Sequence, residues 1–271
     1  MLRSMGVSVS VLASGSCGNC SVISSATTRV LVDAGISSRE TVKRMRALEA
    51  DPRALSAIVI THEHRDHVAG LYTMAKRFKL PVYMTGATYD AWHRDTRDSK
   101  GERCSIEKLE TFSSGRSFQI GDIAITPFTI PHDAVDPVGF TFKTEGVKIA
   151  FATDLGYMPA SVRHHLEDCD VLVIESNHDL EMLRVGPYPW SVKQRVLSRV
   201  GHLSNDALAE FFSGDYDGSA AYVVLAHLSE QNNHPELARG MAEGALERRR
   251  TLLFNRVLLA SQAQPLQPIR L

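Results

Sequence analysis

The stretch Ala57-Ile58-Val59-Ile60-Thr61-His62-Glu63-His64-Arg65-Asp66-His67-Val68-Ala69-Gly70-Leu71 decides how the rest of the chain is read. Its first four residues are an apolar, largely β-branched run of the kind that fills a buried strand, and from Val68 onward apolar residues recur at helical spacing. His62 to His67 therefore lie on a strand-to-helix loop. Three imidazoles and two carboxylates within six residues supply the ligand chemistry of a catalytic divalent metal site. In an extended loop His62 and His64 can face one point while Asp66 and His67, at the start of the helix, face another. One peptide can thus serve two metals. The plainer alternative is a polar loop with Asp66 as helix cap and the histidines solvated; the strand-then-helix context argues against it.

This stretch resembles the signature of the metallo-β-lactamase fold superfamily, His-x-His-x-Asp-His after a strand. The resemblance implies an α/β (α+β) fold, a four-layer αββα sandwich, with residues 1–271 forming a single hydrolase domain.

The composition agrees with an ordinary globular chain. At 271 residues, 44% hydrophobic and 23% charged, it can bury one sizeable two-layer core. A formal net charge of −1 leaves no global electrostatic footprint for nucleic acid, so a polyanion must be held by a local patch or by metal. Four cysteines are few for a disulfide framework, and reduced thiols in the cytoplasm are the simplest reading. Cys17-Gly18-Asn19-Cys20 has C-x-x-C spacing, but no second pair completes a tetrahedral zinc site. Val7-Ser8-Val9-Ser10-Val11 alternates as a strand does, not as a signal peptide, and no apolar run approaches the roughly 18 residues that span a bilayer.

Along the chain, Val7 to Ala13 reads as a strand opening into Ser14-Gly15-Ser16-Cys17-Gly18-Asn19. The small residues of that turn expose backbone N–H groups that can cradle a phosphate, or they form an ordinary hairpin loop. A second hairpin, Ser21–Ser25 with Arg29–Asp33, ends in an aspartate, and a helix follows to about Leu48. After the histidine loop a helix runs to Phe78, then a strand at Pro81–Met84. Gly86 to Arg103, with Arg94, Arg97, Lys100 and Arg103, reads as a helix and solvated loop that offers a possible phosphate patch. Strands follow at Asp122–Ile130, Val138–Lys143, Val147–Ala152, Val171–Ile174 and Ala220–Leu225. His132 and Asp154 stand just past two of them, where sheet enzymes place their sites. Helices are expected at Trp190–Val200 and Asp206–Phe212, the latter capped by Ser204 or Asn205. The tail reads as an amphipathic helix ending in Arg248-Arg249-Arg250, a strand around Asn255–Ala260 and a frayed Pro/Gln-rich end.

The strings Ser14-Gly15-Ser16-x-Gly18-Asn19 and Pro131-His132-Asp133-Ala134-x-Asp136-Pro137 further resemble the YycJ or WalJ group of bacterial nuclease-like proteins, a likeness that runs from Ser14 to Asn233. It implies one metal held by His62, His64 and His132, and a second held by Asp66, His67 and His227, with Asp154 bridging. Asp33 would support the site from behind. His227-x-Ser229 matches what phosphodiesterase members carry, and Ser14, Gly15, Ser16, Gly18, Asn19 and Ser229 become candidate phosphate contacts.

Glu175 and Gly201-His202 are similar to a pair in ribonuclease Z, in which the histidine passes a proton to the leaving oxygen and the glutamate only holds and charges it; Leu203 departs from that string. The remaining histidines, His93, His164, His165, His178 and His234, are read as bland.

The implied activity is that of a dinuclear phosphodiesterase, most simply a 5′ to 3′ DNA exonuclease in which a hydroxide between two divalent ions (Zn, Mn or Fe) attacks the phosphodiester and Asp66 helps to orient it. DNA is favoured over RNA as partner. The alternatives are a ribonuclease Z-like RNA endonuclease, a thioester or other small-molecule hydrolase, and a non-catalytic metal-binding regulator.

Overall fold

The computed structural model of the chain describes residues 6–247 and 254–271. Six strands lie side by side in chain order: β1 (Ser8–Ala13), β2 (Cys20–Ser24), β3 (Arg29–Val32), β4 (Ala57–Val59), β5 (Val82–Thr85) and β6 (Leu109–Phe112). Helices α1 (Ser38–Ala47), α2 (Arg65–Val68), α3 (Leu71–Phe78) and α4 (Gly86–Asp95) fall between them. A second sheet holds β7 (Phe118–Ile120), β8 (Ile123–Thr129), β9 (Val138–Thr144), β10 (Val147–Ala152), β11 (Val171–Glu175), β12 (Tyr222–Ala226) and β13 (Arg256–Leu259). Its helices are α5 (Ala160–Leu166), α6 (Leu180–Val185), α7 (Trp190–Val196), α8 (Asn205–Gly214) and α9 (Pro235–Glu247). The last strand, β14 (Ile269–Arg270), returns to the first sheet and pairs antiparallel with β1, Val9 opposite Ile269.

Both sheets are mixed. In the first, β1, β2 and β3 run antiparallel and β3 to β6 run parallel. In the second, β7 to β10 are antiparallel and β10 to β13 parallel.

The continuous apolar runs sort residue by residue into three buried layers, because successive strand side chains point to opposite faces. Val30, Val32, Ala57 and Val59 face Phe140, Phe142, Val171 and Val173 between the two sheets. Their neighbours Leu31, Ile58 and Ile60 turn the other way, onto Met45, Leu71, Met74 and Trp92 of the first helical layer. Leu172, Ile174, Val223 and Leu225 likewise turn outward onto Val162, Leu208, Phe211 and Ala242 of the second. The result is the expected αββα sandwich.

Several expectations are corrected in detail. The tail is not frayed: Ile269 is buried in the layer between the sheets and Leu266 packs against it. A two-residue strand carries no periodicity to read. The helix after the histidine loop is broken into α2 and α3 at Gly70, where a Cβ would stand 2.1 Å from the Ile36 carbonyl oxygen. The helix from Trp190 stops at Val196 rather than Val200. β6, α5 and α6 were not anticipated, and Arg248 to Arg250 lie outside the described residues. Among the described residues, no helix is long and apolar enough to cross a membrane.

Candidate active site

The parallel pairing of β3 with β4, and of β10, β11 and β12 in succession, brings their C-terminal ends to one edge of the sandwich. Asp33, His62, Asp154, Glu175 and His227 occupy those ends. Asp33, Asp154 and His227 have φ of 58°, 63° and 54°, the left-handed region that L-residues seldom adopt. Such strain, about 1–3 kcal/mol each, persists where the surroundings over-determine it, and functional sites are where it gathers. His64 precedes α2 at its cap position without a side-chain cap bond, and Asp66 and His67 lie within the helix. Asp66 is therefore not the cap.

The structure brings the residues together in groups whose potential ligand atoms lie within 4.8 Å of one another: His62, His64 and His132; Asp66, His67 and His227; His62, His67 and Asp154; and Asp154, Glu175, His202 and His227. His132 Nε2 and His64 Nδ1 converge to 3.2 Å. Asp66 Oδ2 lies 3.4 Å from His67 Nε2 and 3.5 Å from His227 Nε2. Asp154 stands between the two triads, its Oδ2 3.4 Å from His67 Nε2 and its Oδ1 3.9 Å from His132 Nε2.

The back sides of the rings are tied down. Asp33 Oδ2 accepts from His67 Nδ1 at 2.8 Å, and both its oxygens lie within 3.1 Å of Thr61 Oγ1. With the Thr61 proton committed to Asp33, the Thr61 oxygen accepts from His62 Nδ1 at 3.0 Å. His132 Nδ1 donates to the Gly201 carbonyl at 3.2 Å, and His227 Nδ1 lies 3.0 Å from both Glu175 Oε1 and Asp154 Oδ1. Each of these rings is thereby held through Nδ1 with Nε2 aimed inward, which is how ligating imidazoles are oriented.

Buried polar atoms normally find partners, yet His62 Nε2, His227 Nε2 and Asp154 Oδ2 have none. These orphaned atoms are the ones a divalent cation would take, so the donor set fits such an ion. The Asn19 amide adds a constraint, since its Nδ2 lies 3.0 Å from His67 Nε2 and 3.2 Å from Asp66 Oδ2. An N–H and a cation cannot share one lone pair, so filling the second triad requires that amide to withdraw from His67.

Charge is concentrated here. Burial would raise the Asp66 and Asp154 carboxyls, but surrounding imidazoles, His67 and His227 above all, hold both well below the usual range. Burial alone would lower His67 and His227; Asp154 and the neighbouring carboxylates instead lift both well above an ordinary imidazole. His62 is pushed well down by burial and by the neighbouring His67, which together outweigh the pull of Asp154.

Glu175 does more than its sequence context suggested. Oε1 accepts from His202 Nδ1 at 2.8 Å and from His227 Nδ1 at 3.0 Å, while Oε2 accepts from the backbone of Leu155 at 2.7 Å and Leu203 at 3.0 Å. It joins His202, His227 and the loop carrying Asp154. Its burial opposes ionisation, but His202 and His227 outweigh that and bring its carboxyl to about 2. His202, one-fifth exposed at its side chain, turns its other face to the cleft.

Most of the Ser14–Asn19 loop is turned to the fold rather than to the cleft. Five of its six N–H groups are already bound, Ser16 excepted: Ser14 to the Ser261 carbonyl, Gly15 to Asn19 Oδ1, Cys17 to Gln262 Oε1, Gly18 to the Gly15 carbonyl and Asn19 to the Asp66 carbonyl. Ser14 Oγ accepts from the His227 backbone at 2.7 Å, so the loop braces the site from below. Ser16 alone of its residues lines the cleft, as Ser229 does from the other side. Cys20 is buried in β2, where burial pushes its thiol up to about 12 and keeps it inert.

The cleft over the triads measures about 210 Å³. Tyr188, Arg195, Asn177 and Asn232 also line it, and none was singled out from sequence. The bland histidines serve structure. His93 Nδ1 bonds the Cys104 carbonyl, and His165 stacks on Phe128. His178 is buried beside Asn177, where burial lowers it to about 4.

Comparison with known proteins follows the same lines. Residues 28–227 match the family described as the beta-lactamase superfamily domain. The chain is 38% identical over 243 residues to the exodeoxyribonuclease YycJ of Bacillus anthracis, covering 90% of each chain. It is 36% identical over 237 residues to the exodeoxyribonuclease WalJ of Streptococcus pneumoniae, covering 88% of this chain and 87% of that one. The crystal structure of the metallo-β-lactamase fold protein YhfI from Bacillus subtilis aligns with a TM-score of 0.71 at 17% identity, covering 96% of this chain and 99% of that chain, a likeness of fold alone.

Proposed function

The chain belongs to the β-lactamase superfamily and is a metal-dependent hydrolase of nuclease type; from that premise we propose that it is a dinuclear 5′ to 3′ DNA exonuclease acting through a single hydrolase domain. The observation that carries this reading is the pair of triads meeting at Asp154 beneath a cleft that His202 also lines. His62, His64 and His132 would hold one divalent ion, Asp66, His67 and His227 the other, and Asp154 both. Such a pair supplies an activated water near neutral pH and neutralises charge on a phosphoryl group, which suits phosphate diesters better than acyl substrates.

The chain's own residues account for the remainder. Asp66 is ionised and faces the cleft, where it can orient the attacking water. His202, held by Glu175 at 2.8 Å, stands ready to give a proton to the departing sugar oxygen. Leu203, where the ribonuclease Z string has Ser or Thr, directs its buried side chain to the core and its N–H to Glu175, so the departure leaves the pair intact.

The test is degradation of 5′-labelled single- and double-stranded DNA and of structured RNA with zinc, manganese or iron. Stepwise release of mononucleotides from the 5′ end of DNA is expected. Internal cleavage of structured RNA with DNA untouched would favour the ribonuclease Z-like reading, and hydrolysis of thioesters alone would remove nucleic acid as the substrate.

A further inference from the structure

The floor of the cleft is acidic and its walls are mostly neutral. Among the described residues lining it, Arg195 is the only arginine or lysine. It stands in the last turn of α7 and is exposed. Its Nε donates to Asp133 Oδ2, while its two terminal nitrogens bond no described residue. Asp133 places its other oxygen, buried and without a hydrogen-bond partner, 3.4 Å from His132 Nε2. One carboxylate thus links the first triad to the guanidinium and sets its orientation. A guanidinium held through Nε keeps the forked pair of N–H groups that matches two phosphate oxygens.

We propose that Arg195 clamps the phosphate next to the scissile one on the nucleic-acid strand, and that Asp133 is the residue that positions it. The proposal rests on the nuclease reading above and names how that site holds its polymer. The Asp133 carboxylate is interposed between His132 Nε2 and the guanidinium. With Asp133 Oδ1 3.4 Å from His132 Nε2 and its Oδ2 on the guanidinium, Arg195 lines the cleft one carboxylate beyond the first triad, where the phosphate next to the one at the triads would pass. Among the described residues no other arginine or lysine lines the cleft to receive it, and Asp66 and Asp154 would otherwise repel it.

The test compares two substrates on the metal-loaded enzyme: a short single-stranded DNA and bis(p-nitrophenyl) phosphate, which has only one phosphate. Arg195→Met keeps the apolar stem and removes the fork at an exposed position. KM for the oligonucleotide should rise about tenfold, as the loss of one charge-assisted contact implies, with kcat and metal content retained. The salt dependence of oligonucleotide binding should flatten by about one charge. The aryl diester should change far less, and Arg195→Lys should restore the salt slope but only part of the KM. Equal losses on both substrates, or an unchanged oligonucleotide KM, would overturn the proposal. If the unaltered enzyme hydrolyses the aryl diester but no oligonucleotide, the nucleic-acid reading itself falls and takes this one with it.

Discussion

At the scale of single residues, the most informative atoms are the four N–H donors that meet on Glu175. Two come from imidazoles and two from backbone, and they use both carboxylate oxygens in a fully buried position. Replacing it with Gln turns an NH2 towards two of those donors, at roughly 1–3 kcal/mol for each buried group left unpaired. Glu175→Gln is therefore expected to lower Tm and metal content together. His202→Ala removes none of the six residues of the two triads. It should keep its metals yet lose about a hundredfold to ten-thousandfold on a sugar-alkoxide leaving group, the usual share of a positioned acid, and much less on a phenolate. Metal analysis and the two substrates, measured side by side, decide this. Equal losses on both would make His202 a phosphate contact, and loss of metal would make it a ligand. His62, His132, Asp154 and His227 were legible because each sits just beyond an apolar strand, a local pattern, and His64, Asp66 and His67 because they crowd the same strand-to-helix stretch. Arg195 and Asn232 were not, because a short helix and a loop deliver them by tertiary packing alone.

Elements explain what local reading missed. Ser14-Gly15-Ser16-x-Gly18-Asn19 has the composition of an anion loop, but hydrogen bonds to Asp66, Ser261 and Gln262, residues distant in sequence, take three of its donors. No spacing along the chain announces such partners. The bond from the His227 backbone to Ser14 Oγ at 2.7 Å gives the loop a different task, which is to hold a left-handed residue at the end of β12. Ser14→Ala should strand that buried N–H at about 1–3 kcal/mol, seen as a lower Tm and weaker metal binding with oligonucleotide KM unchanged. A raised KM with Tm and metal content intact would return the loop to phosphate binding. The strands of the central layers were readable as unbroken apolar runs because each is covered on both faces. β6 is largely exposed and β14 is two residues long, so neither carries a pattern above that of a loop.

Over the whole molecule, the two sheets meet through an apolar layer whose packing does not depend on the site. At the site edge there is no such layer. Each triad instead draws on both halves: His62 and His64 follow β4 in the first sheet, whereas His132 follows β8 in the second. Asp66 and His67 lie on α2, between strands of the first sheet, and are joined by His227, just past β12 of the second. A cation in either triad would therefore staple the seam as well as serve chemistry, and a ligand bound only by the folded state stabilises it by about 4 kcal/mol at a thousand times its Kd. The fold class was legible from one strand-loop-helix stretch, but this cross-linking was not, because it depends on which strand ends the topology makes neighbours. Chelation should lower Tm and, by hydrogen exchange, release protection at the strand ends around residues 60–68, 152–156 and 226–229 before the centres of β3, β10 and β11. Adding metal back should restore both, at more than one ion per chain. An unchanged Tm after complete metal removal would show that the seam is held by its apolar layer alone, and a loss of protection spread evenly through both sheets would show that metal stabilises the fold as a unit rather than at the seam.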